Sequence, residues 1–156
     1  MFTLKSILLS AFCSAFLLNA QNAVDVLSSA DLKQLAAKLA AESKKKGGAF
    51  AGQTLAHYGN NLTMIAHRET TGSSELHTKD ADVFFVVEGD SSLVTGGRMV
   101  KPQNTQPNEV RGTGIEGGTT RKLGQGDVVQ IQPNTPHQML IAPGHSITYF
   151  VVKVTE

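Results

Sequence analysis

The chain has 156 residues, with 14 basic and 13 acidic side chains, a formal net charge of +1 and a single cysteine, Cys13. So balanced a charge offers no footprint for nucleic acid or an anionic membrane, and one cysteine excludes a disulfide framework or a thiolate metal cluster within the chain. The length suits one compact domain that buries roughly two-thirds of the surface its unfolded chain exposes.

The predicted elements begin at the amino terminus. Residues 1–20 run Met-Phe-Thr-Leu-Lys, an apolar block from Ile7 to Leu18, then Asn19-Ala20, which is the pattern of a secretory signal peptide. The block is shorter than the about 20 apolar residues a bilayer requires. The expectation is therefore an exported protein, secreted or periplasmic, with no membrane span and with cleavage after Ala20 or Ala23. Cys13 follows Phe12 inside the apolar block, which does not suit a lipid attachment site. Removing residues 1–20 takes away Lys5 and no acid, so basic and acidic residues become equal in number and no cysteine is left. Any metal must then be held by His, Asp or Glu.

Residues 24–48 are predicted to form one amphipathic helix. Ser28-Ser29-Ala30-Asp31 supplies the N-cap, and Leu32, Leu35, Ala36, Leu39 and Ala40 recur at helical spacing. Lys44-Lys45-Lys46 suits the negative end of the helix dipole, and Gly47-Gly48 allows the chain to leave through a left-handed turn. The leucine stripe is expected to lie on the outside of a sheet.

Residues 49–156 change to short β-rich runs separated by Gly, Asn and Pro. Strands are predicted near 50–58, 61–68, 74–79, 82–88, 91–96, 118–123, 127–132, 137–142 and 146–154, a spacing that implies a sandwich or barrel. Val83-Phe84-Phe85-Val86-Val87 is apolar at every position, so both faces of that strand are expected to be covered. Residues 96–118, rich in Gly, Asn, Gln and Pro, read as a long loop carrying Arg111 and Glu116, the kind of insertion that is either functional or disordered.

Two stretches carry the chemistry. In the first, His77-Thr78-Lys79 is followed by Asp82 and an apolar run closing on Glu88-Gly89. In the second, Gly126 is followed by Pro133, Asn134 and His137. Together, over roughly Gly72 to Met139, they resemble the two motifs of the cupin superfamily. The first motif has two histidines one residue apart, then a glutamate and a closing glycine. Here Lys79 replaces the second histidine, and Asp82 stands where glutamate is usual, seven positions before Gly89. In the second motif Asn134 replaces a glycine, and Asn best tolerates the left-handed backbone of a tight turn. Ile141 stands where the motif has Asn.

The resemblance implies an all-β fold, a double-stranded β-helix or jelly-roll barrel preceded by the helix, with metal ligands drawn from His77, Asp82 and His137. Strand alternation puts Glu75, His77 and Lys79 on one face, and His137, Met139 and Ile141 on one face. Glu75 is the substitute carboxylate if Asp82 turns away, and Lys79 and Glu75 are the candidate substrate-binding residues. Two imidazoles and one carboxylate suit a divalent ion such as Fe, Mn, Ni or Zn, with positions left open for a small polar substrate. Cupin relatives include oxygenases, isomerases and lyases; the competing reading is a non-catalytic module that binds a small ligand such as a carbohydrate. A homodimer is compatible with either. His57, His67 and His145 lie outside both motifs and are expected at the surface or as satisfied core residues. Alternation does not choose between Tyr149 and Phe150 for the interior.

Overall fold

The computed structural model describes residues 24–156, which form one helix and twelve strands. The expected signal peptide lies outside the described residues. No helix among them is long and apolar enough to cross a membrane.

Helix α1, Ser29–Lys45, starts where the sequence places its cap. Ser28 Oγ accepts from the Asp31 amide at 3.2 Å, and the Asp31 carboxylate accepts from the Ser28 amide at 2.9 Å, a reciprocal box that satisfies two orphan donors. The Ser28 hydroxyl, which also donates to the Asp31 carboxylate at 2.6 Å, and then the Ser28 amide hold that carboxyl below its ordinary pKa. At the other end the Gly48 amide reaches back to the Ser43 carbonyl at 2.9 Å, the closing bond of a Schellman turn. Leu39, nearly inaccessible, packs with Leu32 and Leu35 on the outer face of the sheet against Ala51, Leu55, Ile65 and Phe150, and Ala36 on the same helix is fully buried.

The strands form two antiparallel sheets that share one long member. In the first, β1 (Ala51–Tyr58), β2 (Asn61–Arg68), β12 (Ile147–Thr155), the first half of β4 (Asp80–Thr95) and β10 (Val128–Ile131) lie side by side. In the second, β9 (Thr119–Gly124) and β11 (His137–Leu140) flank the second half of β4. β3 (Ser74–His77), β7 (Glu109–Gly112) and β6 (Gln103–Gln106) continue outward from β11. β5 (Arg98–Val100) and β8 (Gly114–Glu116) form a separate ribbon. Residues 96–118, expected as a loop, thus contain β5 to β8; the polar composition hid a β6–β7 hairpin nested inside the β5–β8 ribbon, with β6 exposed along its whole length.

The two strands expected at 82–88 and 91–96 are one. A bulge, seen as a register shift between Thr148 and Tyr149 of β12, leaves Val87 without a partner on that strand. It switches which parity of β4 faces inward. Before it the inward residues are Asp82, Phe84 and Val86; after it, Leu93, which packs in the same core. Ile131, Met139, Ile141, Ile147, Tyr149 and Val151 complete the interior, so it is Tyr149 rather than Phe150 that points in.

One expectation about the outer face fails. Phe85 is 42% exposed and pairs with Val128, itself 60% exposed. Helix α1 covers the β1–β2 side and Phe150 instead, so an apolar residue in a continuous run is left in solvent.

Candidate metal centre

Three rows of cross-strand neighbours build the site. Across β7, β3 and β11, Arg111, Glu75 and His137 lie directly opposite one another in that order. One step along, Glu109 pairs with His77. From the other sheet, Asp82 on β4 stands opposite Lys153 on β12. Both histidines and Asp82 are buried, at 6%, 5% and 2% exposure, so the two sequence motifs do converge inside the fold.

The imidazoles of His77 and His137 lie 5.5 Å apart between centroids, and the Phe84 ring stands edge-on to His137. One nitrogen each of His77 and His137 and one oxygen of Glu75 fall within 4.8 Å of one another. Asp82 joins them: its Oδ2 is 3.4 Å from His77 Nε2 and 3.7 Å from His137 Nε2. Glu75 Oε2 is 3.8 Å from His77 Nε2. Donors held about 2.0–2.2 Å from a single ion sit about 3–3.6 Å from each other; the separations of Asp82 from both histidines and of Glu75 from His77 are close to that spacing, whereas the group that is mutually close consists of Glu75, His77 and His137 without Asp82.

Each carboxylate is divided between two tasks. Oε1 of Glu75 accepts from Arg68 Nη2 at 3.2 Å and Arg111 Nη1 at 2.8 Å, which leaves Oε2 turned to the histidines. Oδ1 of Asp82 accepts from Lys153 Nζ at 2.6 Å, which leaves Oδ2 turned the same way. The cations therefore orient the acids and neutralise them without occupying the inward oxygens, as outer partners of metal ligands do.

The histidines are prepared similarly. His137 Nδ1 lies 3.0 Å from the Thr135 carbonyl, an oxygen that can only accept, so the bond puts the proton on Nδ1 and the lone pair on Nε2. Burial holds His77 below its ordinary pKa, and the neighbouring Lys153 pushes the same way, so a neutral ring is favoured. Behind it, Glu109 Oε2 lies 3.9 Å from His77 Nδ1. The Arg111 hydrogen bonds hold the Glu109 carboxyl below its usual range, and Glu109 raises Arg111 in return. Glu109 is also one wall of a surface cleft of about 460 Å³ between Thr78 and the β6–β7 hairpin.

Of the residues expected at the site, Glu75, His77, Asp82 and His137 come together and Lys79 does not. β3 ends at His77, and Lys79 lies exposed in the turn to β4, where strand alternation no longer applies. Its place as the cation is taken from two directions the motifs do not cover, by Lys153 and by the pair Arg68 and Arg111. Lys153 had a signal in the sequence: it lies in phase with Tyr149 and Val151 in an otherwise apolar strand, opposite Asp82. Arg111 was visible as a charge in the 96–118 segment but had no strand to give it a direction. His67, by contrast, is a buried outer-face residue satisfied by Thr148 Oγ1 at 2.8 Å.

No protein-family model matches the sequence, and no curated protein matches it. Solved structures do. A conserved protein with a double-stranded β-helix domain from Klebsiella pneumoniae superposes with a TM-score of 0.52 at 14% identity, over 69% of this chain and 78% of its own. A cupin 2 conserved barrel protein from Rhodopseudomonas palustris gives 0.50 at 16% identity, over 69% and 61%. The fold is that of the cupins. The DMSP lyase DddQ from Ruegeria pomeroyi is similar at a TM-score of 0.50 and 16% identity, but this chain spans only 48% of its length. Asn134 adopts a left-handed φ of 62° in the turn before His137. It thereby takes the backbone role of the glycine it replaces.

Proposed function

We propose that this protein is an exported cupin that holds one divalent metal ion on His77, His137, Glu75 and Asp82 and acts on a small polar molecule bound beside it. The convergence of Glu75, His77 and His137, with Asp82 against both imidazoles and hydrogen bonds that orient the two carboxylates and His137, carries this reading. Bound there, a divalent ion supplies Lewis-acid polarisation of a substrate oxygen. The chain's own residues supply the rest. Phe84 and Tyr149 form an apolar wall, with ring centroids 5.2 Å apart, that keeps water from one side of the donors. Glu109, hydrogen-bonded to Arg111, stands behind His77 at 3.9 Å from its Nδ1 and places a negative charge there. The fold supports oxygenase, isomerase and lyase chemistry alike, and does not choose among them.

Metal analysis of the protein purified without chelator tests the proposal. One equivalent of Fe, Mn, Ni or Zn that is lost in a His77→Ala, His137→Ala double variant is expected. Metal-free protein that also fails to take up any of these ions on titration would refute it. The signal peptide is tested separately, by the amino-terminal sequence of the mature protein recovered outside the cytoplasm.

A further inference from the structure

Six charged side chains surround the two imidazoles. Glu75, Asp82 and Glu109 are matched by Arg68, Arg111 and Lys153, joined through the hydrogen bonds and ion pairs already described. With both rings neutral, the cluster is balanced without any ion. Most of it is removed from water: side-chain exposure is 3% for Asp82, 12% for Arg68, 16% for Glu75, 15% for Glu109 and 19% for Lys153. Adding a divalent cation leaves two positive charges uncompensated in a poorly solvated space, and buried charge without a partner is costly. The loaded site therefore favours a negatively charged ligand.

The donors for such a ligand are present. Lys153 Nζ carries three N–H groups, and its hydrogen bonds among the described residues consist of the one to Asp82 Oδ1. Asp82 accepts from Lys153 through Oδ1 and faces the histidines through Oδ2, so Lys153 Nζ lies one carboxylate away from the metal position. Beside them, the Phe84 ring packs at 6.4 Å from His137 and offers an apolar surface for a carbon skeleton, which an inorganic anion does not need.

We infer that the ligand completing this site is a small organic carboxylate, received by Lys153 next to the metal position. The inference rests on the proposed metal reading and deepens it by naming the substrate class. Lys153 then acts as a specificity-determining residue: its ammonium stands beside the incoming anion while its bond to Asp82 Oδ1 keeps Oδ2 toward the histidines.

Calorimetry separates the two ideas. Ni(II) is titrated first, then malonate, its neutral analogue malonamide, and inorganic phosphate, each into nickel-loaded and nickel-free protein. Malonate is expected to bind the loaded protein at least about tenfold more tightly than malonamide, phosphate or the nickel-free combination. In Lys153→Gln held at saturating nickel, malonate affinity should fall by about tenfold or more while malonamide affinity stays level; Lys153→Arg should restore malonate binding. Because misfolding lowers both affinities, it is distinguishable from loss of malonate alone, and Lys153→Arg reports whether the site tolerates substitution. Equal binding of malonate and malonamide by the nickel-loaded protein would overturn the inference and leave the metal site standing, as would unchanged malonate affinity in nickel-saturated Lys153→Gln. Equal binding of phosphate would overturn the carboxylate assignment. Failure of nickel to bind at the first step removes both readings.

Discussion

Gly89, the closing glycine of the first motif, and Gly144, in the turn before β12, have nearly the same backbone, with φ of +79° and +81°. They differ in what surrounds them. A Cβ on Gly89 would lie 2.0 Å from the Ser146 carbonyl oxygen and 3.1 Å from the Ile147 Cα, whereas a Cβ on Gly144 meets nothing within 4 Å. Alanine at either position bears the left-handed penalty of about 1–2 kcal/mol, offset by about 0.4–1 kcal/mol because alanine restricts the unfolded chain. Gly144→Ala should therefore cost about 1 kcal/mol or less. At Gly89 the colliding atom is backbone and cannot rotate away, so β4 and β12 must part. That sacrifices the hydrogen bond from the Asp90 amide to the Ser146 carbonyl, 2.9 Å long, and disturbs Ile147, which is 0% exposed. The bond is worth about 0.5–1.5 kcal/mol, and partial loss of a core isoleucine contact about 1–2 kcal/mol. Gly89→Ala should thus cost about 3–4 kcal/mol in total. Urea unfolding of both variants, with midpoints compared at a shared m-value, measures the difference. Equal losses would show that the β4–β12 contact has room to relax and would refute the argument. The register that places Lys153 opposite Asp82 would then need another cause.

Loading nickel or zinc to about a hundred times the dissociation constant should raise stability by about 2.7 kcal/mol through mass action. Thermal melts should show that rise in the native sequence and not in the His77→Ala, His137→Ala variant. Ser28→Ala removes the side-chain half of the capping box and should cost about 1 kcal/mol, read from thermal unfolding followed by circular dichroism. The Arg111 hydrogen bonds hold the folded pKa of Glu109 below that of an ordinary glutamate. The unfolded chain therefore binds the proton first on acidification, and this stabilising term, complete above the unfolded value, is lost as pH falls through the folded one. Melting temperature should drop across that acidic window, and Glu109→Gln should flatten the slope. An unchanged slope would remove the Arg111–Glu109 pair as its source.

The parts of the fold that were legible in the sequence are those where one local rule decides. Ser28 and Asp31 cap α1 because their reciprocal bonds need only residues three apart. Asn134 takes the turn before His137 because its side chain suffers least with φ positive. His77 and His137 were found from motif spacing, and Met139 and Ile141 follow His137 inward by period two. What was not legible depends on pairing between distant strands. The inward direction of Arg111 exists only because β7 adds to β3, and Lys153 has meaning only opposite Asp82, 71 positions earlier. Lys79 was misplaced for the complementary reason: alternation was extended past His77 into a turn, where it has no force. The exposure of Phe85 likewise follows from where α1 lands, which the leucine stripe alone does not specify.

The bulge at Val87 connects these observations. Without it, β4 would present one parity along its whole length, and the residues that follow Asp82, Phe84 and Val86 inward would be even-numbered to the end. Leu93 would then face out. Thr95, the β4 residue directly opposite His137, would face out too, along with its partner, because directly paired residues share a face. The extra residue lets one strand give Asp82 to the first sheet and an inward seat for His137 to the second. The same insertion is the place where β4 can bend from one sheet into the other. The donor cluster is therefore a consequence of strand geometry as much as of the histidines themselves. Removing Val87 to restore continuous pairing should separate Asp82 from His137 and abolish metal uptake, even though every proposed ligand is still in the chain.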